Sequence, residues 1–383
     1  MSFKASRRGL VPPFIVMDVM RQAAARAAQG GDVLHLEVGQ PGGPSPKAVL
    51  AAARAALDGA DLGYTLALGI DPLRERIARW YQDSHDQTVD PSRVVVTTGS
   101  SGAFVLGFLA AFDAGDRVAL AAPGYPAYRN ILSALGCLPV SIPVGPESRF
   151  QPTIAHLEAL DPKPDGLIVA SPSNPTGSML TPEALGELAR WCERNGVRLV
   201  SDEIYHGIVY GPVKAATALA FSPHALVVNS FSKYFAMTGW RLGWLVLPED
   251  LVRPVECLAQ NLFIAPPTLS QRAGLAAFDA IEELDERVRG YAANRDLLLE
   301  RLPQAGFDRL APADGAFYLY ADIAHLSNDS AAFCARLLAE TGVAMTPGID
   351  FDPERGRHTL RFSYAGSATD IDRAAQRLIA WRR

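Results

Sequence analysis

Five short stretches of this chain carry residue types that could do chemistry. Ser230-Phe231-Ser232-Lys233 follows the apolar run Ala225 to Asn229, and Arg241 comes next between Gly239 and Gly243. A lysine left just past a buried strand, beside a fixed cation, suits an amine that forms a Schiff base next to a phosphate. Alone, such a lysine is more often a solvated surface group. Gly99-Ser100-Ser101-Gly102-Ala103 links a strand to a helix. Its glycines let backbone amides approach a ligand, and a helix N-terminus favours an anion, but the spacing fits neither common nucleotide fingerprint. Pro123-Gly124-Tyr125-Pro126 puts a tyrosine at a strand tip, where the ring can stack on a flat ligand or pack on the domain surface. Asn174, within Ser171-Pro172-Ser173-Asn174-Pro175-Thr176-Gly177, can donate to a ligand oxygen or close an Asn-Pro turn. Asp202, in Ser201-Asp202-Glu203-Ile204-Tyr205, either caps a helix or is drawn into a crevice where a carboxylate needs a cation.

These stretches need a common frame. From Arg93 short apolar strands alternate with helices. The strands are expected at Val94 to Thr98, Arg117 to Ala121, Leu167 to Ala170, Arg198 to Ser201, Leu226 to Asn229 and Leu242 to Leu247. The helices are expected at Ala103 to Phe112, Tyr128 to Ala134 and Pro182 to Asn195. This pattern is α/β: a mainly parallel sheet covered by helices on both faces. Its strand C-terminal ends gather the turns named above at one edge, where ligands bind in open α/β sheets. Upstream lie a helix from Phe14 to Ala28, a short strand from Val33 to Val38, a Gly/Pro loop from Gly39 to Pro46 and a helix from Pro46 to Leu57. Asp71 as N-cap and Pro72 open another helix that runs to about Tyr81. After Leu269 a long helical stretch broken near Gly290 runs to about Leu302. A strand from Ala316 to Tyr320, a helix from Ser330 to Glu340, a strand from Thr359 to Ser363 and a closing helix from Asp370 to Trp381 complete an α+β segment. The expected division is an N-terminal arm and part of the small domain at 1–45, a large ligand-binding domain at 46–270 and a small domain at 271–383.

The bulk composition removes several function classes. The chain has 383 residues, 49% of them hydrophobic and 20% charged, which suits a globular protein of two or three domains. A net charge of -5 offers no basic footprint for nucleic acid. Cys137, Cys192, Cys257 and Cys334 are scattered and make no C-x-x-C, and the histidines include no H-E-x-x-H, so no metal is expected. Pro12, Pro13 and Asp18 break the first apolar run, and nothing approaches the roughly 18 apolar residues of a membrane span. The expected setting is the cytoplasm, without membrane contact.

Taken together, the turns supply an anion nest, a stacking ring, an amide donor, a carboxylate and an amine. A flat, phosphorylated heterocycle with an aldehyde and a basic ring nitrogen accounts for all of them, and that is pyridoxal 5′-phosphate. With S-x-N-P-T-G around Asn174, D-E-I-Y around Tyr205 and S-F-S-K-x-x-x-M-x-G-x-R-x-G from Ser230 to Gly243, the chain resembles class I/II aminotransferases, fold-type-I enzymes of the aspartate/aromatic aminotransferase kind. The resemblance covers essentially the whole chain. It implies that Lys233 carries the cofactor, Asp202 pairs with the ring nitrogen, Asn174 and Tyr205 bond the ring hydroxyl, and Tyr125 stacks on the ring. It gives the phosphate to the amides of Ser101 and Gly102 with Ser230, Ser232 and Arg241. It makes Arg361 the clamp for the substrate α-carboxylate, with Asn174 and the Gly39 backbone beside the substrate. Tyr64, in an exposed turn, resembles the tyrosine that reaches the neighbouring subunit's phosphate, which implies a homodimer.

The expected reaction moves an amino group between an L-amino acid and a 2-oxo acid, 2-oxoglutarate being the expected acceptor, in ping-pong fashion. The freed Lys233 amine carries the proton at the substrate Cα. Two departures from the family pattern stand out. Ser101 and Ala103 occupy the region where one subgroup has a lysine that reads acidic side chains, which removes the usual support for an aspartate preference. Gly42-Gly43 stands where an acidic and an aromatic residue usually follow Gly39-Gln40-Pro41, so cover over the substrate must come from elsewhere, with Phe14 or Ile15 as candidates. The alternatives are a C-S β-lyase on the same fold and a pyridoxal-phosphate-binding regulator. The second would carry a basic helix-turn-helix segment, and none is read before residue 40.

Overall fold

The structure, a computed structural model, describes residues 3–59 and 61–382. The chain enters through the helix Ile15–Ala28 and a two-residue strand, β1 (Leu34–His35). Seven strands then form the central sheet: β2 (Val94–Thr97), β3 (Arg117–Ala122), β4 (Leu138–Pro143), β5 (Gly166–Ala170), β6 (Arg198–Asp202), β7 (Leu226–Ser230) and β8 (Gly243–Val246). Their spatial order is β2-β8-β7-β6-β5-β3-β4. β8 runs antiparallel to both neighbours, and the other pairs are parallel. Strand alternation feeds two cores. Leu167, Val169, Leu199 and Val227 pack into one, whereas Ile168, Val200, Leu226 and Val228 pack into the other. Helices seal each face. Asp71–His85 and Pro182–Asn195 bury Leu73, Ile77, Leu185 and Leu188 on the first, and Gly99–Ala111 and Glu249–Leu262 bury Phe104, Phe108, Leu251 and Val255 on the second. No described helix is long and apolar enough to cross a membrane.

A second sheet lies in the C-terminal third. β9 (Arg309–Leu310), β10 (Tyr318–Asp322), β12 (Thr346–Pro347) and β13 (Thr359–Ser363) form an antiparallel sheet in the order β12-β13-β10-β9. Between them in sequence, β11 (Val343–Ala344) pairs in parallel with β1. In the β10–β13 register Tyr320 stands opposite Arg361.

Several elements differ from the sequence expectation, each for a local reason. The Gly99-Ser100-Ser101-Gly102 stretch is not a link ahead of the helix but its first turn, since the helix spans Gly99–Ala111. Glycine and serine have poor helix propensity, and tertiary packing overrides it here. Asp71 is not the N-cap. Ile70 is, and the Asp71 carboxylate pairs with Arg74 at 2.8 Å. The strand expected over Val33 to Val38 shrinks to Leu34–His35, because its partner β11 is equally short. The helix Ile281–Arg301 runs through Gly290 without a break, and the interruption falls instead at the 3-10 turn Ala276–Asp279. Strands β4, β9, β11 and β12 and the helices Ile154–Glu158 and Glu249–Leu262 lie outside the sequence expectation. Strand β4 carries Pro139 and Pro143 on the sheet edge, where prolines are tolerated but hide the pattern. Helix Glu249–Leu262 contains Pro254, although Pro248 and the acids Glu249 and Asp250 are a start signal that was there to see.

Candidate active site

The C-terminal ends of the parallel strands open on one cavity of about 180 Å³. Gly39, Ser101, Tyr125, Asn174, Tyr205, Ser232, Lys233, Arg241 and Arg361 line it. Asp202 and Ser230, the last residues of β6 and β7, lie buried beneath, and Gly102 sits in the adjoining helix turn. Tyr64 stands apart on the surface, 85% exposed. Among the described residues lining the cavity are three cations, Lys233, Arg241 and Arg361, and no acid. Such a cavity favours a ligand carrying more than one negative charge.

Lys233 sits in the turn after β7, and its Nζ donates to the Gly39 carbonyl at 2.6 Å. It is 5.9 Å from the Tyr205 ring centroid. Burial, then the charges of Arg361 and Arg241, push its pKa down to about 8, with Asp202 opposing. A free amine is therefore accessible close to neutral pH, as a nucleophile or base requires.

Asp202 accepts from the Ile204 backbone N–H at 3.1 Å and from the Tyr128 hydroxyl. Burial lifts its pKa to about 6, although those bonds and the Lys233 charge oppose the rise. A cation placed against it would recover the desolvation cost. Tyr128 escaped the sequence reading. It lies in the first turn of the helix Pro126–Leu135 and packs edge-on against Phe104 and Tyr125 like any core aromatic.

Close backbone approach shapes the cavity floor. Gly99 has φ +73°, and a Cβ there would stand 2.5 Å from Arg241 Nη2. A Cβ on Gly243 would meet the backbone of Gly99, Ser100 and Asn229 at 2.8 to 3.0 Å. Arg241, itself left-handed at φ 54°, donates from Nη1 to the Thr238 carbonyl at 3.0 Å. The Ser232 N–H donates to Ser230 Oγ at 3.0 Å. The result is a glycine-lined nest at a helix N-terminus with a guanidinium and hydroxyls around it, a cradle for a phosphate.

Arg361 reaches the cavity from β13 and is 3% exposed. It donates to Asn174 Oδ1 at 2.9 Å, to the Glu37 carbonyl at 2.5 Å and to Thr346 Oγ1 at 3.3 Å. Its Cζ lies 4.3 Å from the Tyr318 ring centroid and 4.8 Å from that of Phe351. Its Nε has no partner among the described residues. A buried guanidinium without a carboxylate at salt-bridge distance is a receptor for a ligand carboxylate. The remaining wall is apolar. Phe14, Val16, Met17 and Met20 come from the N-terminal helix and the residue before it, and Val38 and Ile204 join them. Phe14, named above as possible cover, packs edge-on against Tyr125 at 5.8 Å.

Glu203, beside Asp202 in sequence, turns away from the cavity. Its Oε1 accepts from Ser201 Oγ, Thr217 Oγ1 and the Ala218 N–H at 2.9 to 3.1 Å. Its Oε2, without a hydrogen-bond donor among the described residues, lies 3.5 Å from His206 Nδ1. Burial lifts Glu203 to about 8 against those bonds, and the Asp202 charge adds to the rise. His206 is held neutral by burial and by neighbouring His85. Folding thus retains a proton that the unfolded chain releases near pH 4.5, so the stability contribution is lost as pH rises from there through about 8. Glu203→Gln keeps the acceptor and cannot ionise. Its thermal midpoint is expected to gain on the parent's across that window and to stay ahead above it. An equal offset at about pH 5 and about pH 9 would contradict this.

A partly buried amine, a buried acid lacking a cation, a phosphate cradle and a half-satisfied guanidinium are the donor set that pyridoxal 5′-phosphate and an amino acid need together, so the residues present fit that cofactor. The chain belongs to the class I and II aminotransferase family, whose model matches residues 31–378. It has the fold-type-I architecture and is a pyridoxal-phosphate-dependent aminotransferase. It is similar to a valine–pyruvate aminotransferase from Mycobacterium tuberculosis, with 55% identity over 100% of this chain and 99% of the relative. An aspartate/prephenate aminotransferase from Thermus thermophilus is 33% identical over 95% of each chain. The crystal structure of an aminotransferase from Mycobacterium tuberculosis superposes with a TM-score of 0.98 at 55% identity, covering 99% of each chain.

Proposed function

We propose that this aminotransferase takes its amino group from an apolar, branched amino acid of the valine kind and passes it to a small oxo acid such as pyruvate. The observation that carries this reading is the apolar part of the cavity wall. Phe14, Val16, Met17, Met20, Val38 and Ile204 offer a side chain nothing but apolar surface. No cation beyond Lys233, Arg241 and Arg361 lines the described cavity to receive a second carboxylate. That favours pyruvate over 2-oxoglutarate as acceptor, and the valine–pyruvate name of the 55% identical relative points the same way. A panel of donors against pyruvate and 2-oxoglutarate tests it. Valine is expected to exceed aspartate in kcat/KM by at least about 10²-fold, since an unpaired carboxylate against that wall costs several kcal/mol. Aspartate or glutamate matching valine would overturn the reading.

When bound, pyridoxal phosphate supplies an aldehyde for the amino group and a ring that takes up the electron pair of the Cα–H bond. Each protein group then has a task. Arg361, with Asn174 alongside, grips the α-carboxylate and fixes which Cα bond faces Lys233. The amine of Lys233 would take the proton from the substrate Cα and hand it to the cofactor's aldehyde carbon, and the Gly39 carbonyl orients that amine. Asp202 holds a proton at the ring nitrogen. Asn174 and Tyr205 direct hydrogen bonds to the ring hydroxyl, and Tyr125 covers the ring face. Ser101 and Gly102 amides, Ser230, Ser232 and Arg241 take the phosphate. The N-terminal apolar wall excludes water from the side-chain pocket.

The working unit in this reading is a homodimer in the cytoplasm, in which Tyr64 reaches the partner's phosphate. The Gly63 carbonyl accepts from Thr268 Oγ1 at 2.7 Å, which joins two loops carrying Leu62, Tyr64, Leu66, Leu262, Phe263 and Ile264, all exposed. An apolar patch of this kind suits contact with a second copy. A monomer in sedimentation velocity would end this part of the reading. The chain divides in this reading into 1–45, 46–270 and 271–383. Arg361 from the last segment and Asn174 from the middle one then grip one substrate, and limited proteolysis between the segments tests the boundaries.

A further inference from the structure

Tyr318 sits where two parts of the site meet. It is the first residue of β10 and is buried, and its ring face lies under the Arg361 guanidinium at 4.3 Å. Its hydroxyl is 2.7 Å from that of Tyr205. Gly39 makes room for it, because a Cβ there would stand 1.9 Å from the Tyr318 hydroxyl. One phenol therefore touches the proposed carboxylate clamp with its face and the proposed ring-hydroxyl donor with its edge.

The direction of the Tyr318–Tyr205 bond follows from charge. Each phenol has one proton to give. Arg361 over its ring makes Tyr318 the better donor, so Tyr205 accepts and keeps its own proton for a ligand oxygen. Burial lifts both phenols and the Arg361 charge draws both back, but their shared bond lowers Tyr318 and lifts Tyr205 further. Hydrogen bonds in such a chain polarise one another.

We infer that Tyr318 is a positioning residue that relays occupancy of the Arg361 clamp to the cofactor's ring oxygen through Tyr205. The inference rests on the roles given above to Arg361 and Tyr205. A carboxylate on Arg361 neutralises the cation over the Tyr318 ring. Tyr318 then donates less strongly, and Tyr205 in turn holds the ring oxygen less strongly. The ring oxygen keeps more negative charge beside the Lys233 nitrogen, and a proton on that nitrogen is held to higher pH. Arg361 also reaches the same region through Asn174 at 2.9 Å, so Tyr318 carries part of the effect and not all of it.

The test uses the holoenzyme and 3-methylbutanoate, a valine analogue without the amino group. The visible absorbance of the Lys233-linked cofactor is titrated against pH with and without saturating acid. In the parent the midpoint rises when the acid binds. In Tyr318→Phe, which keeps the ring under Arg361, less than about half of that rise is expected to remain. The double variant Tyr205→Phe/Tyr318→Phe is expected to behave as Tyr205→Phe alone, since the two hydroxyls act in series. An undiminished rise in Tyr318→Phe, or two effects that simply add, overturns the inference and leaves the clamp standing. No rise in the parent would remove the Arg361 assignment, and the relay with it.

Discussion

Replacing Lys233 with alanine is expected to lower transamination by at least about 10³-fold, the upper part of the range that a positioned general base contributes. The size of the effect follows from isolation. Lys233 is partly buried in the cavity, with its Nζ held by the Gly39 carbonyl at 2.6 Å. The remaining cations facing the cavity are guanidinium groups, which do not give up a proton near neutral pH. No second amine lines the cavity among the described residues. The burial and like charges that hold Lys233 near a pKa of about 8 make it a usable base, and they act on that position alone. The same substitution is expected to leave pyridoxal phosphate binding without a covalent link, since Arg241, Asp202 and the serines are untouched. Stopped-flow measurement of one half-reaction with valine checks both statements. Turnover within about tenfold of the parent would mean that another group moves the Cα proton.

Arg361→Lys is expected to cost on the order of 10²-fold in kcat/KM, about 3 kcal/mol, for every amino acid tried. Lysine keeps the charge, but a single ammonium cannot reproduce a planar fork. The guanidinium already donates to Asn174 Oδ1, the Glu37 carbonyl and Thr346 Oγ1. It is thereby held flat between the Tyr318 and Phe351 rings. An ammonium would leave some of those buried acceptors unpaired as well as weaken the carboxylate contact. Because the α-carboxylate is common to all substrates, the loss should be uniform. Valine, leucine and alanine are expected to fall together, with their ratios kept. A changed order of preference would place Arg361 against the side chain instead.

The chemistry was more legible in the sequence than the framework. Asp202 ends β6, and Lys233, Asn174 and Tyr205 follow β7, β5 and β6, strands so apolar that their position in a parallel sheet is readable from the residues alone. Strand β4 and helix Glu249–Leu262 were hidden by prolines at an edge and inside a helix. Arg361 could be singled out as a strand arginine between Leu360 and Phe362, but its hydrogen bond to Asn174 joins residues distant in the chain. Tyr128 and Tyr318 were not legible. Each is an aromatic among aromatics, and only the fold brings the hydroxyl of one to Asp202 and of the other to Tyr205. The apolar wall from the helix Ile15–Ala28 was half visible. Phe14 could be named as cover, but Val16, Met17 and Met20 carry the same spacing as any helix packed on a core.

The central claim is that one lysine carries the cofactor. Borohydride reduction of the holoenzyme, followed by peptide mass spectrometry, tests it most directly. The account predicts a pyridoxyl group fixed to the peptide bearing Lys233 and to no other lysine. A label on Lys4, Lys47, Lys163 or Lys214, or an unlabelled Lys233 in enzyme that turns over, would contradict it.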